Sequence, residues 1–163
     1  MNIIMKKLLL FTTMLLGFTS IANAQEISEN ALGLRLGSND GFGSEISYQR
    51  KFTSNNRLEL DLGWRNGDNL NAVKLTGLYT WVWNIDQGFN WYAGVGAGFG
   101  NWSTDNTTYK SGTFLYAAGT IGIEYNFDFP LQISLDLRPE IGGHGYYDNN
   151  FGADIALGLR YKF

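Results

Sequence analysis

One histidine, His144, and no cysteine occur in the chain, which excludes thiol nucleophiles, thiolate metal sites and disulfides. Tyr146, Tyr147 and Asp148 lie close to His144. An acyl-transfer site needs a nucleophilic hydroxyl beside an imidazole, with an acid to orient the ring. The position two after His144 is Tyr146, so a His-x-Ser arrangement lacks its nucleophile. A site that joins His144 to Asp40 and Ser38 has no support from spacing. No catalytic residue and no enzyme activity are therefore expected. The run Gly94-Val95-Gly96-Ala97-Gly98-Phe99-Gly100 repeats every two residues and precedes no helix, unlike a phosphate-binding loop. It reads instead as small side chains leaving room for larger neighbours. Asn101-Trp102-Ser103 and Asn106-Thr107-Thr108 match a glycosylation acceptor, a motif too short to carry weight. Asp105 and Asp148 could offer oxygen ligands to a divalent cation, but scattered loop acids are ordinarily solvated. No metal or cofactor is expected.

The remaining chemistry is charge, and it is confined to one side of a period-2 pattern. Between Leu131 and Ile141, Leu131, Ile133, Leu135, Leu137 and Ile141 alternate with Gln132, Ser134, Asp136, Arg138 and Glu140. Leu58, Leu60, Leu62 and Trp64 likewise alternate with Arg57, Glu59, Asp61 and Arg65. From Phe151 to Phe163, the face holding Ile155, Leu157, Leu159 and Tyr161 opposes one holding Asp154, Arg160 and Lys162. The polar face carries eight bases (Arg35, Lys51, Arg57, Arg65, Lys74, Arg138, Arg160, Lys162) against seven acids (Glu45, Glu59, Asp61, Glu124, Asp136, Glu140, Asp154). Near-equal opposite charges in a narrow space favour pairing. Arg35, Glu59, Asp61, Glu124, Asp136, Arg138, Asp154 and Arg160 are expected to form one connected ion-pair network.

To hold such residues on one face, the chain must form strands. Eight alternating segments are recognisable, with no convincing helical spacing, and an even count of strands suggests an all-β, antiparallel up-and-down barrel. In the fourth segment the pattern sets Val73, Leu75, Tyr79, Trp81 and Trp83 on the apolar face, with Leu78 and Val82 as exceptions on the polar one. A soluble barrel would turn its apolar face inward. Eight strands enclose a lumen only just wide enough for side chains, and these Leu, Ile, Phe, Tyr and Trp residues could not all fit there. Charge restricted to the other face is what a lipid exterior demands. Aromatic residues fall at strand ends, where Tyr48, Trp81, Trp83, Trp91 and Phe127 would mark one membrane boundary and Trp64 the other. Arg50 alone breaks the pattern, close enough to a boundary to snorkel.

Residues 1–24 read as a cleaved signal peptide. Lys6 and Lys7 precede the apolar run Leu8 to Phe18, and Ala22-Asn23-Ala24 is an A-x-A cleavage site. Residues 25–163 form the barrel unit. This mature part has 10 basic and 15 acidic residues, a net charge of −5, which argues against a nucleic-acid partner. Connections at Thr53–Asn56, Asn84–Gly88 and Asp128–Pro130 are short. Those at Ser38–Ser44, Asn66–Asn71, Asn101–Ser111 and Gly142–Asn150 are generally longer. With both termini in the periplasm, the short set is periplasmic and the other external.

The terminal Gly158-Leu159-Arg160-Tyr161-Lys162-Phe163 resembles the C-terminal signal of bacterial outer-membrane barrels, although Leu157 stands where a polar residue is common. Gly122-Ile123-Glu124-Tyr125-Asn126-Phe127 and Leu135-Asp136-Leu137-Arg138-Pro139-Glu140 look like strand patterns of small members. The span Ala31–Phe163 is similar to the outer membrane protein beta-barrel domain family, of the small OmpX/OmpA-barrel type. That resemblance implies outer-membrane residence beside lipids and lipopolysaccharide, and biogenesis through periplasmic chaperones and the barrel assembly machinery, with Gly158, Tyr161 and Phe163 as the assembly signal. A monomer with a structural or surface-interaction role and a closed lumen is expected. A narrow, low-conductance pore is the alternative, and a lipid A-modifying enzyme stands a distant third. Fold likeness does not decide among these roles.

Overall fold

Apolar–polar alternation is realised along a single closed sheet. A computed structural model describes residues 27–37, 43–66, 70–104, 111–142 and 151–163. The signal peptide over 1–24, together with Ser38, Asp40, Asp105, His144, Tyr146, Tyr147 and Asp148, lies outside the described residues. The strands are β1 (Asn30–Leu36), β2 (Ser44–Lys51), β3 (Asn56–Asn66), β4 (Leu70–Asp86), β5 (Phe89–Thr104), β6 (Ser111–Asn126), β7 (Leu131–Gly142) and β8 (Phe151–Lys162). Each pairs with its sequence neighbours, and β1 pairs antiparallel with β8 to close an eight-stranded antiparallel barrel. The terminal residue takes part in that seam. Phe163 N–H donates to Asn30 O at 2.9 Å, and Asn30 N–H donates to Phe163 O at 3.0 Å.

The strands differ in length for local reasons. β4, β5 and β6 have 17, 16 and 16 residues, whereas β1 and β2 have 7 and 8. The expected connection Asn84–Gly88 contracts to Gln87-Gly88. Asn84 Nδ2 donates to the Phe89 carbonyl at 3.3 Å and to Asn90 Oδ1 at 3.0 Å, which draws this segment into the ladder, with a register irregularity between Asn84 and Asp86. Gly88 has φ +80°, and a Cβ there would lie 2.7 Å from the Tyr125 ring. The expected connection Asn101–Ser111 shrinks similarly, since Asn101 to Thr104 continue β5 and Ser103 pairs with Ser111.

The pleat turns large apolar groups outward. Leu34, Leu60, Leu135, Ile155 and Leu159 are 40–65% exposed, whereas Arg35, Glu59, Asp61, Arg138 and Arg160 are at most 2% exposed. The barrel wall is inverted relative to a water-soluble protein. Leu78 and Val82, apolar residues on the polar side of β4, point inward and are buried. The β5 glycines make the lumen possible. A Cβ on Gly98 would collide with the Tyr116 ring, and one on Gly100 with the Phe114 ring.

Candidate functional site: the charged lumen

The central charges assemble because antiparallel register sets inward positions of adjacent strands side by side. Arg35 of β1 pairs in register with Glu45 of β2, and Arg138 of β7 with Asp154 of β8. Along the wall formed by β7, β8, β1 and β2, Arg35 Nη1 lies 3.0 Å from Glu45 Oε2 and 2.7 Å from Asp154 Oδ2, while Nη2 lies 2.5 Å from Asp136 Oδ1. Arg138 reaches the other wall. Its Nη1 lies 3.0 Å from Glu45 Oε2, and its Nη2 lies 3.2 Å from Glu59 Oε1 and also pairs with Asp61. Arg160 Nη2 stands 3.6 Å from Glu59. The rest of that guanidinium is held by serines, with Nε donating to Ser47 Oγ at 2.9 Å and Nη1 to Ser134 Oγ at 2.8 Å.

Seven of the eight residues named from the sequence thus lie in one connected cluster: Arg35, Glu59, Asp61, Asp136, Arg138, Asp154 and Arg160. Glu124 stands apart from them. Its ion pair is with Arg57, 2.7 Å away, and it also accepts from Asn90 at 3.1 Å. Tyr92 connects the two groups, because Arg57 lies over its ring at 4.8 Å and its hydroxyl donates to Asp136 at 3.3 Å. The hub is Glu45, absent from the named set. It touches Arg35 and Arg138 through Oε2 and Lys74 through Oε1 at 3.3 Å. Lys74 also reaches Glu140 at 3.1 Å. Glu45, Arg57 and Lys74 belong to the polar face already visible in the sequence. Register with Arg35 was the signal that could have singled out Glu45.

Apolar layers flank the charges. Ala72, Trp102, Phe114 and Tyr116, toward the ends of the longest strands, form a buried cluster that Leu78 and Ala118 extend to mid-strand. Near the chain termini, Ile27 packs with Val82 and Tyr92. Trp102 and Phe114 fall within or beside the segment expected to be a loop, so their inward direction was not foreseen. Among the described residues, the deeply buried charges are five bases and six acids. Each would cost several kcal/mol in a low-dielectric interior without partners.

Aromatic residues cluster where β2 to β8 approach the short turns. Trp83 and Trp91 stack with centroids 4.2 Å apart, Tyr79 meets Trp81 edge-on at 5.2 Å, and Tyr125 meets Phe127 at 4.7 Å. Tyr48 lies at the same end and donates to Asn30 at 2.8 Å. Arg50, the exception to the outward pattern, sits there too, donating to Asn30 at 2.9 Å with Glu29 3.9 Å away. Trp64 marks the opposite end. Of the three C-terminal residues set apart in the sequence, Tyr161 and Phe163 face outward with rings 6.2 Å apart. Gly158 faces inward instead. A Cβ there would meet Ser134 Oγ and Arg160 Nη1, so the glycine keeps open the space of the Arg160–Ser134 hydrogen bond.

No protein-family model matches the chain, and no curated protein matches it in sequence. Solved structures do. The N-terminal β-barrel domain of Pseudomonas aeruginosa OprF matches with a TM-score of 0.63 at 14% identity, over 84% of this chain and all of that one. Neisserial surface protein A matches at 0.60 and 13%, over 82% and 94%. Ail, the attachment invasion locus protein of Yersinia pestis, matches at 0.54 and 17%, over 83% and 97%. At these identities the likeness is one of fold, and the fold is that of these small eight-stranded barrels.

Proposed function

We propose that this chain is a monomeric integral protein of a bacterial outer membrane, with a structural or surface-interaction role and a lumen closed to solutes. The observation that carries this reading is the inverted wall. Arginines and carboxylates fill the interior at a few per cent exposure while Leu, Ile and Phe cover the exterior. A contiguous apolar belt of this extent is incompatible with a free monomer in water and matches what acyl chains solvate. The ring of aromatics near the short turns supports a membrane boundary at that end. Connections at 52–55, 87–88 and 127–130 are short and lie at the end of the chain termini, which supports a periplasmic placement of that end. Lipopolysaccharide and phospholipid are its expected neighbours. Periplasmic chaperones and the barrel assembly machinery are its expected partners in biogenesis.

Closure is supported by three stacked layers: the Ile27–Val82–Tyr92 contact, the ion-pair cluster, and the Trp102–Phe114–Tyr116 cluster. Water-filled channels generally need about 16 strands. Single-channel recording in planar bilayers tests the reading. The folded protein is expected to leave the bilayer insulating, and steady ion-selective steps would replace the scaffold with a narrow pore.

A further inference from the structure

β4, β5 and β6 run beyond the lipid-facing belt at the end opposite the chain termini, and their outward rows change character abruptly. One row is wholly apolar, with Leu62, Leu75, Phe99 and Leu115 in register across β3 to β6. In the next row Trp64 and Val73 stand beside Asn101 and Thr113. The last is Asn66, Asn71, Ser103 and Ser111. None of the outward residues in these last two rows is charged. Except for Trp64, they line an open cleft of about 550 Å³, whose walls also include Ala72, Trp102 and Gly112. Thr113 Oγ1 donates to Asn101 Oδ1 at 2.8 Å, which orients the amide within the cleft wall. Trp64, 42% exposed, stands in register with Val73 of the cleft wall.

We propose that this cleft binds the uncharged sugar ring of a glycolipid in the outer leaflet. The inference rests on the membrane reading above, because height decides the occupant. A lipid whose chains lie against Leu62, Leu75, Phe99 and Leu115 carries its headgroup at the level of the next two rows. Carboxamides and hydroxyls pair with both the donors and acceptors of a polyol, and an indole beside them offers an apolar surface to a ring face. A phosphate site would call for Arg or Lys, and among the described residues these outward rows provide none.

The test uses mature protein folded into phosphatidylcholine nanodiscs doped with either a monoglycosyl diacylglycerol or phosphatidylglycerol, with retained lipid counted by native mass spectrometry. Heat-shifted migration on gels verifies folding in every sample. The glycosyl lipid is expected to be retained over phosphatidylglycerol. The triple variant Asn71→Ala, Asn101→Ala, Ser103→Ala should reduce that retention about tenfold or more, each lost hydrogen bond being worth roughly two- to tenfold. Equal retention of the two lipids, or no effect of the folded triple variant, overturns the site while leaving the membrane reading intact. Equally tight binding of a free methyl glycoside overturns the assignment to a lipid. A wild-type chain that stays soluble and monomeric without lipid removes both readings.

Discussion

Arg138 joins three carboxylates from two strands, and its loss is felt by each of them. Glu45 retains Arg35 and Lys74, and Glu59 retains Arg160, but Asp61 loses its ion pair. Breaking a buried pair leaves an uncompensated charge and typically costs about 3–5 kcal/mol. Arg138→Ala is therefore expected to lower unfolding stability by about that amount, measured by urea titration in lipid vesicles. A stable Arg138→Ala protein that conducts ions would show that these groups line water rather than close the lumen. Gly158 makes a second prediction at this scale. Gly158→Ala forces a methyl group against Ser134 and Arg160 and should cost about 1–3 kcal/mol, as overpacking commonly does. Removing the Ser134 hydroxyl gives part of that space back. The Gly158→Ala, Ser134→Ala double variant should thus lose less than the sum of the single losses, and strict additivity would refute the proposed clash.

β8 is the element on which closure depends, since it pairs with both β7 and β1. Phe163 exchanges two backbone hydrogen bonds with Asn30 at the seam, so its removal has a structural consequence whatever reads it in the cell. Deletion of Phe163 is expected to weaken the folded barrel slightly in detergent refolding and to reduce outer-membrane levels much more. Equal losses in the two assays would assign its role to stability alone. Element boundaries were the part of the fold least visible in the residues. Asn, Asp and Ser at 84–86 and 101–104 have turn chemistry, yet these segments extend β4 and β5 because partner strands supply their hydrogen bonds. The inward Trp102 follows from that extension.

Over the whole molecule, the partition between lipid and lumen determines stability. Leu135 is outward-facing in β7, at 49% exposure. Leu135→Arg should destabilise the protein by about 2–4 kcal/mol if it lies near mid-bilayer, measured by unfolding from vesicles. A neutral result with a protein soluble in plain buffer would favour a water-soluble barrel. Closure likewise belongs to the whole barrel, since apolar layers lie on both sides of the charges. Trp102→Ala alone should leave the bilayer insulating, because the ion-pair layer and the Ile27–Val82–Tyr92 contact remain. Measurable conductance from that single change would identify the aromatic cluster as the sole barrier.

Period-2 alternation over eight segments was enough to specify an all-β closed barrel and to sort residues between its faces, because side-chain direction along a strand is set by the pleat alone. It also placed Arg35, Glu59, Asp61, Asp136, Arg138, Asp154 and Arg160 on one face without reference to their partners. Which acid meets which base was decided by tertiary structure. Glu45 became the hub through its register with Arg35 and its distance across the lumen from Arg138, while Glu124 went to Arg57, which lies over the Tyr92 ring. Pairing across a barrel depends on strand register, stagger and lumen width together, and no local pattern in a single strand encodes all three.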